Sequence, residues 1–272
     1  MTLRHPAVAG YFYPKNPQAL REQVEAYLKE EKIEEGSRQK ALAIVSPHAG
    51  YIYSGRVAAA VFSRIKISSK LFILSPNHSG LGTQVAINQS GEWLTPLGEA
   101  KIDEELASEF MRRCNLVEED SLAHRDEHSL EVQIPFVQFL KKDFTFVPLT
   151  FHHLPFETCK KIGEDLATCI QESGEEVLII ASTDMNHYES HEVTLKKDQF
   201  AIDPILELNP EVLYREVHKH GVTMCGIIPT TIALVAAKKL GAQKAMLVKH
   251  ATSGDASGDY DSVVGYASFL IS

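Results

Sequence analysis

The sequence predicts a single α/β domain, a mixed sheet flanked by helices on both faces. Three observations carry this. Short apolar runs of strand length alternate with stretches whose apolar residues recur at helical spacing, the pattern of a sheet covered by helices. The 272 residues contain no low-complexity linker and no long charge block, so residues 1–272 read as one unit. Hydrophobic residues make up 44% and charged residues 23%, the balance of a globular protein with a substantial core.

Each element has a local reason. Asn16-Pro17 opens a first helix, because proline suits the first helical turn, and Leu20, Val24, Tyr27 and Leu28 form its apolar stripe. Residues 41–45 read as a buried strand, followed by a Gly- and Tyr-rich loop and a helix over 56–65. Residues 71–74 form a second strand and 84–87 a short one. Asp103 caps a helix carrying Leu106 and Phe110. Residues 144–149 form a strand, and Phe156–Ser173 a helix with Cys159, Ile162, Leu166 and Cys169 on one stripe. Residues 177–181 are a strong strand. Asn209-Pro210 starts another helix, Pro229 opens a longer one that stops at Gly241, and residues 245–248 and 263–270 close the chain as strands.

Charge and composition exclude several functions. Acidic residues outnumber basic ones by 36 to 27, for a net charge of −9, which disfavours a nucleic-acid partner or an anionic membrane surface. The longest apolar runs, 57–62 and 232–237, are far shorter than the ~20 residues that span a bilayer. The N-terminal MTLRHPAVAGYFYP lacks the apolar stretch of a secretory signal. Cys114, Cys159, Cys169 and Cys225 form no CxxC pair, the usage of a reducing, cytoplasmic setting. No GxGxxG and no Walker loop supports nucleotide binding, and no HExxH supports a zincin.

The chemistry collects at strand ends. AIVSPHAG (43–50), FILSPNHSG (72–80) and IIASTDMNH (179–187) each run from an apolar strand through a serine into a polar loop with one histidine. Ligands of open α/β sheets bind beyond the carboxyl ends of the strands, so His48, His78 and His187 share an edge and converge if their strands are neighbours. Neutral imidazole suits iron, copper, nickel or zinc, and a histidine beside a metal acts as acid or base. Asp184 either orients His187, holds a water, or caps the next turn. Cys225, in GVTMCGIIPTT, sits near a helix start, where a thiol becomes a better nucleophile or metal ligand. In HRDEHSLEVQIPF (124–136), Ser129 or Asp126 reads as an N-cap and the rest as a solvated face. SGDASGDYD (253–261) reads as turn chemistry rather than a calcium loop, lacking the closing glutamate of an EF-hand. Tyr11, Phe12, Tyr51 and Tyr53 either line an apolar pocket or pack the core.

AGYFYP, SPHAGYIYSG, SPNHSG, DEHSLEVQIPF, STDMNHY, MCGIIP and SGDASGDYDSVVGYAS, in this order over nearly the whole chain, resemble the Memo family. The resemblance implies a fold similar to class III extradiol dioxygenases, which use non-haem Fe(II). By that similarity His48, His78 and Cys225 match metal ligands, Asp184 and His187 match further pocket residues, and His187 falls at the dioxygenases' acid/base histidine. The departure is a thiolate where the dioxygenases have a carboxylate; thiolate favours Cu(I), zinc or Fe(II) and is open to oxidation. The resemblance also implies a partner, since relatives are associated with a radical-SAM protein. Three functions stay open at this point. One is an Fe(II) or copper redox enzyme acting on a small-molecule or peptide ligand in the strand-end pocket. The second is a non-catalytic accessory protein that presents metal or ligand to a partner. The third is a zinc hydrolase.

Overall fold

The computed structural model describes residues 3–272. In chain order its elements are β1 (Leu3–Arg4), α1 (Pro17–Glu30), β2 (Ala43–Ser46), α2 (Tyr51–Phe62), β3 (Lys70–Pro76), β4 (Val85–Ile87), β5 (Glu92–Thr95) and β6 (Gly98–Ile102). There follow α3 (Glu104–Arg113), β7 (Glu118–Glu119), α4 (Leu122–Arg125), α5 (Ile134–Leu140), β8 (Thr145–Phe151), α6 (Phe156–Ser173) and β9 (Val177–Ser182). The chain ends with β10 (His187–Glu189), α7 (His191–Leu206), α8 (Pro210–Lys219), α9 (Ile227–Lys239), β11 (Ala245–Thr252), α10 (Gly254–Ser257) and β12 (Val263–Ile271). The strands make one mixed sheet in the order β1-β5-β6-β8-β3-β9-β2-β12-β10, with β11 on β12 and β4 on β8.

The central strands β8, β3, β9 and β2 are parallel, and β12 runs antiparallel to β2. Side chains alternate across a strand, and both faces here are buried. Ile44, Ile73 and Ile180 enter a core with Leu20 and Val24 of α1, Phe62 of α2 and Phe136 of α5. Val45, Phe72 and Ile179 enter the opposite core with Phe110 of α3, Ile162 and Leu166 of α6, and Ile232 of α9. Phe62 and Phe136 stack with ring centroids 5.2 Å apart, and truncating either costs about 3–5 kcal/mol. The predicted α/β sheet with helices on both faces is thus what the chain forms.

The predicted caps form as expected: Asn16, Asp103 and Asn209 each accept a backbone N–H of the following turn. One boundary moves. Helix α2 starts at Tyr51 rather than 56, because Tyr51 is buried against Tyr13 and Phe136 and its hydroxyl donates to the Val132 carbonyl. The β5–β6 hairpin, β10 and α7 were not legible as elements; α7 has a weak apolar stripe and Pro204 inside it. No helix among the described residues is long and apolar enough to cross a membrane.

What matters for the site is register. Strand β9 lies between β3 and β2, with Ser182 opposite Ser46 and Ala181 opposite Leu74. The loops after these three strands therefore leave the sheet side by side.

Candidate metal centre

His48 emerges two residues beyond β2 and is almost fully buried. Its backbone N–H donates to Asp184 Oδ1 at 2.7 Å, and its Nδ1 lies 3.0 Å from Ser182 Oγ. Ser182 has one hydroxyl proton, directed to the Ser129 carbonyl at 2.6 Å, and it already accepts from Gln133 Nε2 at 2.9 Å. Its oxygen is therefore an acceptor toward His48, which places the ring proton on Nδ1 and leaves Nε2 bare. That Nε2 lies 3.2 Å from Cys225 Sγ. Burial, and then the positive charges of neighbouring imidazoles, hold the His48 pKa well below the usual histidine value, so the ring is neutral.

His78 leaves β3 two residues after Pro76. Its backbone N–H donates to Glu127 Oε2 at 2.5 Å and its Nδ1 pairs with Glu127 Oε1 at 2.9 Å. Burial lowers the His78 pKa, but the Glu127 hydrogen bond and charge outweigh it and the net shift is upward. Burial likewise raises Glu127, yet the bonds from His78 and Ser129 hold it down to about 2.

His128 stacks on His78 with centroids 4.7 Å apart and meets His48 edge-on at 5.6 Å. One ligand atom from each of His48, His78 and His128 can be chosen so that all lie within 4.8 Å of one another. Cys225 touches His48 and is not in that trio. Its Sγ accepts the Asp184 N–H at 3.2 Å, while burial and the Asp184 charge push the thiol pKa upward. Gly226 behind it is obligatory: a Cβ there would lie 2.3 Å from Thr183 Cβ and 2.4 Å from the Ser182 carbonyl.

Asp184 caps no helix; it receives the His48 N–H, and burial raises its pKa to about 7. His187 begins β10, its N–H bonded to Thr223 Oγ1 at 2.7 Å, and burial lowers its pKa. Its ring Nδ1 is buried with no hydrogen-bond partner among the described residues. His48, His78, His128, Asp184, His187 and Cys225 all line one open pocket of about 590 Å³, with Phe12, Tyr188 and Tyr266 among its apolar walls.

Of the four aromatic candidates, Phe12 lines the pocket and Tyr51 packs behind it, while Tyr11 and Tyr53 are exposed. The reading of 124–136 as a cap and a solvated face is wrong. His124, Glu127, Ser129 and Glu131 are buried, and the segment carries His128 into the pocket. Charges interleaved with Leu130 and Val132 were the local signal of that burial, since a solvated face would not share its turn with core residues. Tyr188, with a φ of 60°, ends the STDMNHY motif and is a pocket wall to which the sequence reading gives no role.

The family model described as Memo-like protein matches residues 4–270. A MEMO1 family protein of Pyrobaculum arsenaticum is 44% identical over 99% of this chain and 99% of its own length. A MEMO1 family protein of Methanocaldococcus jannaschii is 40% identical, also over 99% of each chain. Among solved structures, an uncharacterized protein from Escherichia coli shares the fold, with a TM-score of 0.57 and 11% identity, covering 85% of this chain and all of the other. The chain belongs to the Memo family.

Proposed function

We propose that this protein binds one redox-active transition metal, Fe(II) or copper, with His48, His78 and Cys225 as ligands, and acts as an oxidoreductase on a small molecule or peptide in the strand-end pocket. One observation carries the reading: His48 and His78 reach the same point, each with its Nδ1 held by a partner that leaves Nε2 for the pocket. Metal-binding histidines are characteristically oriented in this way by the hydrogen bond at the other ring nitrogen. A thiolate and neutral imidazoles suit copper, zinc and iron. When bound, the metal would supply a Lewis-acid and electron-transfer centre.

The chain's own residues supply binding and proton handling. Asp184 has a pKa near neutrality and receives the His48 N–H, so it can hold a proton at its free oxygen beside the ligands. His187, whose ring lines the same pocket, is the acid/base of the site. Phe12 and Tyr266 add apolar surface to the pocket lining.

A second reading is an accessory protein that presents metal or ligand to a partner such as a radical-SAM protein. It is favoured by Tyr188, 77% exposed at the pocket, and Tyr11, 89% exposed beside pocket-lining Phe12. Metal analysis of protein purified without oxygen, beside His48→Ala and Cys225→Ser, tests the first reading. Stoichiometric iron or copper lost on His48→Ala supports it. Absence of bound metal, or binding indifferent to His48→Ala, overturns it.

A further inference from the structure

We infer that Glu127 is the positioning residue of this site, a buried carboxylate that fixes the tautomer and direction of His78 and steadies His128 beside it. The inference rests on the metal-binding reading above and adds a residue to it that no strand-end motif contains.

Glu127 is fully buried, yet its carboxylate meets no lysine or arginine among the described residues. An ionised carboxylate removed from water needs compensation by charge or by hydrogen bonds. Here the compensation is local and lopsided. Oε2 takes the His78 N–H at 2.5 Å. Oε1 faces His78 Nδ1 at 2.9 Å, the Ser129 N–H at 2.9 Å and the Ser129 hydroxyl at 2.6 Å, and lies 3.6 Å from His128 Nδ1. Every group aimed at it is a donor, so the carboxylate accepts from His78 Nδ1–H and Nε2 is the nitrogen left for a metal.

The carboxylate is itself held from behind. Arg4 donates to the Glu127 carbonyl at 2.7 Å and to Glu131 Oε2 at 2.7 Å, and it stacks over Trp93. Glu127 thus sits on a braced backbone and grips both the main chain and the ring of His78. A side chain serving only to cap the turn would need Ser129 and the His78 N–H; the bond to the ring would be superfluous.

The isosteric Glu127→Gln tests this. An amide offers one acceptor oxygen, so whichever way it turns, its NH₂ faces either the His78 N–H or the cluster of donors at Oε1. Nitrogen-15 NMR of ring-labelled, metal-free protein should show His78 as the Nδ1–H tautomer, and Glu127→Gln should shift it toward a mixture. Affinity for Co(II) and Cu(I), measured by competition with a chelator, should fall about 10- to 100-fold, the usual loss when such a partner is removed. Ser129→Ala, which removes one hydroxyl donor but not the bond to the ring, should leave the tautomer unchanged.

Metal affinity within twofold and an unchanged tautomer in a folded Glu127→Gln would overturn the inference. So would an Nε2–H tautomer of His78 in the unaltered protein, which needs no variant to fold. If the unaltered protein bound neither metal, the metal-binding reading would fail, and the tautomer measurement alone would still decide the role of Glu127.

Discussion

His48 Nε2 lies 3.2 Å from Cys225 Sγ, although 177 residues separate them in the chain. The contact joins the end of β2 to the residue that precedes Gly226 and α9, so an imidazole nitrogen and a sulfur face the same space. Cys225→Ser should lower Cu(I) affinity at least tenfold, about 1.4 kcal/mol, and remove any sulfur-to-metal charge-transfer absorption. Chelator competition with parallel absorption spectra measures both. Unchanged affinity would place sulfur outside the ligand set and give its position to His128.

His187 lines the pocket without belonging to the close imidazole trio. His187→Ala should leave metal content within about twofold while abolishing turnover, because general acid–base catalysis contributes about 10²–10⁴ in rate. Equal loss of metal would make His187 a ligand.

Simple catechols should be poor substrates. A thiolate donates more charge than the carboxylate of a ring-cleaving dioxygenase and is itself oxidisable. Oxygen uptake by anaerobically Fe(II)-loaded protein over a catechol panel should stay at background. Cys225→Glu, which restores a carboxylate, is the comparison, and robust turnover by the unaltered protein would refute the expectation.

Gly226→Ala should destabilise the fold by about 1–3 kcal/mol, the range for forcing atoms into a packed site. The added methyl meets the Ser182 carbonyl and Thr183, neither a flexible chain end. Urea denaturation gives the stability, and metal affinity should fall with it because Cys225 is displaced.

His124 should make stability pH-dependent. Burial, and then the Arg4 charge, lower its pKa from 6.5 to about 3 in the folded protein. Unfolding therefore takes up a proton below pH 6.5: stability is full above that value and declines as pH falls toward 3. At 1.36 kcal/mol per unit, the decline from this residue between pH 7 and 5 is about 2 kcal/mol. His124→Gln should flatten that part of the profile in denaturation curves, and an unchanged slope would sink the assignment.

Much of this architecture was legible because strands buried on both faces read as continuous apolar runs, and 71–74 and 177–181 did so. The edge pieces were not. Strand β10 is three residues long with a bulge, and β5 and β6 alternate polar and apolar positions over very few residues. At the site, His48, His78 and His187 were legible because each follows a strand through a serine. Glu127 was hidden for a different reason: its partner His78 is 49 residues away, and a single sequence carries no trace of which distant donor a carboxylate meets. His128 was hidden along with it, since the charge of its segment matches a solvated face as well as a pocket.

The alignment of β2, β9 and β3 has one more consequence. His48, His78 and Asp184 stand on loops, while the strands beneath them are sealed on both faces by helices. Local opening of those loops should be far easier than parting the strands. Amide exchange should then find two layers of protection, slow for Ile44, Ile73 and Ile180, faster for His48, His78 and Asp184. Rearrangement at the pocket mouth is thereby uncoupled from the stability of the sheet beneath it.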